Sequence, residues 1–329
     1  MISKQTKTIR WGMIGCGAVT EIKSGPAFQL AENSELTAVM CRRLDKAGDY
    51  AQRHQIPFYT DDAEKLLSRE NIDAVYIATP PDSHAYYTQL AAQYGKAIYV
   101  EKPMARTFAE CKAMLAVTEK AGLPLYVAYY RRALPRFLKI KEILDAGRIG
   151  SPRIVTIQLY RPPFPADLEG KANWRTDPKI AGCGYFCDLA VHTLDILQWL
   201  LGKIQSVESA IANQLKIYTA EDTVSARFTF PNDVHATGIW NFTAYSAFDQ
   251  NEIIGDKGKI CFSTFGDSPI ELHASDKVET FSIANPRHIQ LPFIQKMVNA
   301  LLEKEPFAPN GKSAAHTNWL LDQIIHPQK

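Results

Sequence analysis

Through the first third of the chain, short apolar runs alternate with stretches of helical period. Residues 8–14, 35–41, 74–78, 97–100 and 123–128 are rich in β-branched and apolar side chains and end at turn residues, which predicts strands buried on both faces. Segments that can be helical separate them, one from about Val19 and one over 108–121. Strands alternating with helices predict a right-handed, parallel, doubly wound sheet. After Ala128 the pattern changes. A helix is predicted through Leu144, opened by Tyr129, Tyr130, Arg131 and Arg132 and stopped at Gly147. Strand-like runs follow at 154–160, 207–217, 223–230, 234–242, 252–255 and 259–262, several with period-2 alternation and none separated by helices. This predicts a large, mostly antiparallel open sheet with one covered face. Helices at 291–303 and 313–325 close the chain. The predicted fold class is α/β, with a domain at 1–127 and an α+β domain at 128–329.

One helical stretch in the second half carries unusual polarity. In residues 182–199 two glycines precede an apolar helix on which Asp188, His192 and Asp195 sit at i, i+4 and i+7 and so share one face. Burying such groups is costly unless they are paired or used. Two readings are open for His192: a core histidine satisfied by a carboxylate one turn away, or a working base.

The loops after the predicted strands carry candidate chemistry. The first strand runs into Gly15-Cys16-Gly17-Ala18-Val19-Thr20, a G-x-G-x-x-T turn in strand–turn–helix context. This is the setting of a Rossmann dinucleotide fingerprint: the first glycine permits the turn, the second admits a pyrophosphate, and the helix start offers N–H groups to the anion. Thr20 at the third glycine position predicts looser helix–strand packing. At the end of the second strand, where an NAD ribose usually meets Asp or Glu, this chain has Cys41-Arg42-Arg43. Two guanidinium groups suit a 2′-phosphate, so NADP is expected in preference to NAD; a solvated arginine pair is the plain alternative. The third strand ends in Thr79 and Pro80, with His84 read as a helix-start residue ahead of a catalyst; Thr79, Pro80 and His84, with Glu101 and Lys102 after the next strand, are expected to bind the cofactor. The fourth ends in Glu101-Lys102-Pro103, which would point a lysine at the nicotinamide end. Strand C-termini line the ligand crevice in such sheets. The loop 161–178, with Trp174 and Arg175, is either a sugar-binding segment or a surface connection.

Composition adds limits. The chain has 329 residues, more than one core usually serves. A charged content of 22% and a net charge of +2 give no reason to expect nucleic acid or an anionic membrane. The sequence is read as lacking a long apolar run for a membrane span, and its first residues lack the apolar core of a signal peptide. Six scattered cysteines form no C-x-x-C, so no metal site is expected and all six are read as reduced thiols in a cytoplasmic protein.

Taken together, GCGAVT (15–20), ATPPDSHA (78–85), VEKP (100–103) and D-x-x-x-H-x-x-D (188–195) resemble the Gfo/Idh/MocA oxidoreductase family, which includes glucose–fructose oxidoreductase and inositol 2-dehydrogenase. The resemblance covers nearly the whole chain, in the family's order. It implies an NAD(P)-dependent oxidoreductase acting on a sugar, cyclitol or related polyhydroxy compound. It also implies a catalytic trio of Lys102, Asp188 and His192, a cis bond at Lys102-Pro103, and a homodimer or homotetramer formed through the C-terminal sheet. Cys183 and Ala190 stand where the family often has glycine, which implies altered packing near the substrate. Two other roles exist on such a scaffold: a glycoside hydrolase using tightly held NAD, and a dinucleotide-binding sensor without catalysis.

Overall fold

The apolar runs of the N-terminal part form six parallel strands in the computed structural model, which describes residues 7–304 and 310–327. The residues before position 7, on which the signal-peptide reading rests, lie outside the described residues. The strands are β1 Ile9–Ile14, β2 Ser34–Met40, β3 Phe58–Thr60, β4 Ala74–Ile77, β5 Ala97–Val100 and β6 Leu125–Val127, in the order β3-β2-β1-β4-β5-β6. The order reverses between β1 and β4, which places the β1 and β4 C-terminal loops side by side where such sheets bind ligands. Helices cover both faces, so strands such as β4 are buried at every residue. β3 was not predicted; it has three residues, too few for a pattern to register.

The expected first helix is broken into Ala18–Ile22 and Gly25–Leu30. Pro26 explains the break: its ring would collide with the carbonyl four residues back, and it lacks the N–H of a continuing helix. Tyr50 donates to the Thr20 carbonyl at 2.8 Å. A Cβ on Gly25 would lie 2.2 Å from both of these oxygens, so only glycine fits.

Residues 286–304 and 310–315 cluster with this first unit, although the sequence reading assigned them to the second domain. The cause is visible in the core. Phe293, on the helix Leu291–Leu301, stacks on Tyr99 at 5.7 Å, extending an aromatic column of Tyr99, Tyr76, Phe28 and Trp11.

The second unit is built on an eight-stranded sheet. Its strands are β7 Pro152–Tyr160, β8 Ser206–Ala212, β9 Thr223–Phe230, β10 Val234–Asn241, β11 Phe248–Gly255, β12 Gly258–Phe262, β13 Ile270–Ala274 and β14 Lys277–Phe281. The order is β14-β13-β12-β11-β7-β10-β9-β8; β7 and β10 pair parallel and all other neighbours antiparallel. The predicted strand over 207–217 stops at Ala212, because buried Asp222 draws the next segment into a loop by accepting from the amides of Gln214 and Leu215. β13 and β14 were not predicted. They form a hairpin whose turn residues Ser275 and Asp276 both have positive φ, as a two-residue turn requires.

The inner face of this sheet packs on the helix Tyr185–Leu201, with Phe186 edge-on to Trp240 at 5.1 Å. By length and hydropathy the segment Pro178–Leu201 could cross a membrane, contrary to the expectation of no such run, yet 78% of its most apolar window is buried inside the fold. It is the core helix of this unit. The outer face keeps Ile154, Ile239 and Phe248 exposed on three neighbouring strands.

Candidate functional site

In the first unit the glycine loop behaves as its spacing predicts. Gly15 has φ +107°, and a Cβ there would lie 2.6 Å from the Ala78 carbonyl, so β1 and β4 approach too closely for any side chain. Gly17 is extended, and a Cβ on it would meet nothing within 4 Å. A side chain at 17 would fill that open space. Ala18 is exposed and Val19 half-buried at the start of the short helix. Cys16 points inward, with burial pushing its thiol up to about 12, so only its backbone faces the loop. The Thr20 hydroxyl donates to the Gly17 carbonyl at 2.8 Å and fastens the turn.

Arg42 and Arg43 are both exposed at the end of β2, but they differ. The Arg43 guanidinium is turned onto Asp45, Nη2 to Oδ2 at 2.6 Å.

Two loops at the ends of β4 and β5 are tied by His84. Its ring is 0% exposed, with Nε2 2.8 Å from the Thr79 carbonyl and Nδ1 3.0 Å from that of Pro103. Burial lowers its pKa, while these carbonyls and the Glu101 charge pull the other way. The ring braces the loop holding half-buried Thr79 and Pro80 and has no surface left for a cofactor; the helix-start reading accounts for it better. Glu101 is likewise turned inward. It accepts from Tyr76 and from Gln290 at 2.7 Å each, and from the Lys102 amide at 3.2 Å. The next bond, Lys102-Pro103, is cis as the resemblance implied. Lys102 thus leaves β5 from a backbone held by a buried carboxylate.

In the second unit, the predicted polar face of the helix Tyr185–Leu201 divides its work. Asp195, 1% exposed, takes the Arg132 guanidinium, Nε to Oδ2 at 2.8 Å. Burial raises its pKa and Arg132 opposes this. Asp188, in the first turn where a helix favours a negative charge, accepts from Arg175 Nε at 3.0 Å. The Arg175 guanidinium lies over the Trp174 ring at 4.3 Å, so the loop residues singled out from sequence are locked to the helix through Asp188. His192 is buried one turn further on, edge-on to Phe265 at 5.8 Å. Phe265, Tyr160, Arg161 and Phe164 line a cavity of about 390 Å³.

The helix start holds features that sequence reasoning missed. Cys183 and Cys187 form a disulfide, which corrects the reading of six reduced thiols. The Gly182–Gly184 bend brings their Cα atoms to 5.6 Å, within the span a disulfide bridges. Cys16, Cys41, Cys111 and Cys261 are free. Glu221 accepts from the Gly184 amide at 2.8 Å, and burial raises its pKa to about 7. The i, i+4 cysteine spacing was a signal for the disulfide; nothing near Glu221 in sequence marked it.

Two family models match this chain. One, described as an oxidoreductase family with an NAD-binding Rossmann fold, matches residues 9–129; the other, a GFO/IDH/MocA C-terminal domain, matches 137–261. "Oxidoreductase P35" of Formosa agariphila is 39% identical over 316 residues, 95% of this chain and 97% of that protein. D-xylose 1-dehydrogenase [NADP(+)] of Haloarcula marismortui is 26% identical over 296 residues, 84% of this chain and 80% of its own. Among solved structures, aldose-aldose oxidoreductase from Caulobacter crescentus, complexed with glycerol, superposes with a TM-score of 0.85 at 21% identity, over 97% of this chain and 96% of that one.

Proposed function

The chain belongs to the Gfo/Idh/MocA oxidoreductase family, and from that premise we propose that it transfers a hydride between NAD(P) and a hydroxyl-bearing carbon of a sugar, cyclitol or related polyhydroxy compound. The observation that carries the reading is the pairing of Asp188 and His192 one turn apart on a buried helix, in a chain that also presents Lys102 behind the buried Glu101. A relative named as a D-xylose dehydrogenase supports the substrate class.

The bound nicotinamide supplies the hydride acceptor or donor. The loop at Gly15 and Gly17 holds the pyrophosphate through backbone N–H groups. The His192 imidazole takes the proton of the substrate hydroxyl as the carbonyl forms, since an imidazole titrates near neutrality. Lys102 Nζ donates to the same oxygen and stabilises its developing charge. Asp188, oriented by Arg175, binds a neighbouring hydroxyl or holds the imidazole. Trp174 and Arg175 contribute to the substrate wall. Arg42, at the β2 end with no acidic residue in its place, favours NADP.

The finer assignments of assembly and compartment belong to the same reading. The exposed Ile154, Ile239 and Phe248 on the outer sheet face are covered by the same face of a second copy, forming a homodimer or, with a further contact, a homotetramer. The protein works in the cytoplasm, where the cofactor pool is.

The deciding assay incubates the purified protein with NADP or NAD and a panel of aldoses, cyclitols and deoxy sugars, following nicotinamide absorbance. Net reduction with at least one polyol is the expected result, and Lys102→Met or His192→Asn each lower kcat by about 100-fold or more. Substrate cleavage without net absorbance change marks the hydrolase. Binding without turnover, unaltered by either substitution, marks a sensor.

A further inference from the structure

Three neighbouring strands of the second sheet set four side chains with metal-ligating atoms in one row. Glu252 on β11 is the cross-strand partner of Cys261 on β12, and Cys261 of Glu271 on β13. His273 lies two residues beyond Glu271 and so shares its face, opposite Lys259. The intervening side chains Ile253, Ile260 and Leu272 point the other way and are fully buried, which fixes the backbone carrying the row. The ligating atoms of Cys261, Glu271 and His273 all lie within 4.8 Å of one another. His273 Nε2 is 2.9 Å from Glu271 Oε2, and Cys261 Sγ donates to Glu252 Oε1 at 3.3 Å. These residues line a cavity of about 230 Å³, room for an ion and its waters.

We propose that Cys261, Glu271 and His273 form a binding site for a thiophilic divalent cation of the Zn²⁺ class, with Glu252 beside the thiol as proton acceptor. One sulfur, one imidazole nitrogen and one carboxylate oxygen match the donor preferences of Zn²⁺, and a water completes the tetrahedron. On binding, the Cys261 S–H bond breaks and a sulfur–metal bond forms. The proton passes to Glu252 and on to solvent, and no electrons move. Lys259 Nζ, 3.0 Å from Glu252 Oε1, keeps that carboxylate paired and out of the coordination shell. The sulfur binds as a thiolate, so binding releases one proton. All ligands belong to one chain and one unit, on the same outer sheet face as Ile154 and Phe248.

The test uses the full chain, stripped with a chelator and titrated with Co²⁺ around pH 8. A single equivalent is expected to produce thiolate-to-cobalt charge-transfer absorption and tetrahedral d–d absorption, both displaced by Zn²⁺. Cys261→Ser is expected to lose the charge-transfer absorption. Glu271→Gln and His273→Gln, at solvent-facing positions that leave the fold intact, are expected to weaken binding by about tenfold or more. Absence of charge-transfer absorption in the parent protein, or its persistence in Cys261→Ser, overturns the site. If Cys261→Ser does not fold, the other two variants decide: unchanged affinity in both overturns it equally.

Discussion

Glu221 accepts a hydrogen bond from the Gly184 amide at 2.8 Å, so a buried carboxyl closes the N-terminus of the helix that carries Asp188 and His192. The fit is close: a Cβ on Gly184 would come within 2.6 Å of the Glu221 carbonyl. A helix start favours a negative charge, yet burial dominates here, with Asp222 adding to it, and the pKa rises from 4.5 to about 7.

The sign of the resulting pH dependence follows from the folded value lying above the unfolded one. Below pH 4.5 the carboxyl is protonated in both states and stability is unaffected. Between 4.5 and about 7 the unfolded chain ionises while the folded one keeps its proton, so stability falls as pH rises, by on the order of 3 kcal/mol in all. Glu221→Gln retains an oxygen for the Gly184 amide and removes the titration. Urea unfolding from pH 5 to 8 is expected to show the parent losing stability relative to the variant; parallel curves contradict the assignment.

The Cys183–Cys187 disulfide predicts a thiol count. Alkylation of the denatured protein without reductant is expected to label four cysteines, Cys16, Cys41, Cys111 and Cys261, and six after reduction. The bridge closes a loop with a sequence separation of only 4, so chain entropy limits its contribution to about 2 kcal/mol. Cys183→Ser/Cys187→Ser is therefore expected to fold, with a modestly lower Tm. Six labelled thiols without reductant would restore the reduced reading.

Local pattern exposed most of the architecture. The N-terminal strands are buried on both faces and read as unbroken apolar runs, and Gly15 announces a turn that only glycine can make. The misses share a cause: their information is not local. β3 is too short for periodicity, and β14 is exposed along nearly its whole length, so neither stands out in composition. Nothing in the neighbours of Glu221 or Asp195 says that each meets its partner, Gly184 or Arg132, 37 and 63 residues away. Cys261, Glu271 and His273 come together through strand register, which a search for C-x-x-C spacing does not see. Lys102, Asp188 and His192 stood out by motif order, and their joint action remains a proposal carried by substitution tests.

The difference between Arg42 and Arg43 predicts unequal effects on cofactor choice. Losing a charge-assisted phosphate contact costs about 1.5–3 kcal/mol, so Arg42→Ala is expected to weaken NADPH by at least about tenfold and leave NADH unchanged. Arg43→Ala is expected to change little, since its fork is engaged by Asp45. Asp45→Ala releases that fork and is expected to tighten NADPH. Fluorescence titration with both cofactors measures all three; equal losses for NADH and NADPH in Arg42→Ala refute the phosphate contact.

Arg132 and Asp195 offer the sharpest stability test, because the carboxylate is 1% exposed and sits on the His192 helix. Removing one member of a buried ion pair strands the other in a medium that solvates it poorly. Arg132→Met is therefore expected to destabilise the fold by about 3–5 kcal/mol. Replacing both with apolar groups removes the stranded charge, so Arg132→Met/Asp195→Leu is expected to recover most of the loss. Chemical denaturation of the parent, both single variants and the double variant closes the cycle, and additive losses would show that the two side chains do not depend on each other. The catalytic consequence separates stability from positioning. If the pair only holds the helix in place, the double variant regains kcat along with stability. If the pair also sets the electrostatics around His192, stability returns while the pH profile of kcat stays shifted.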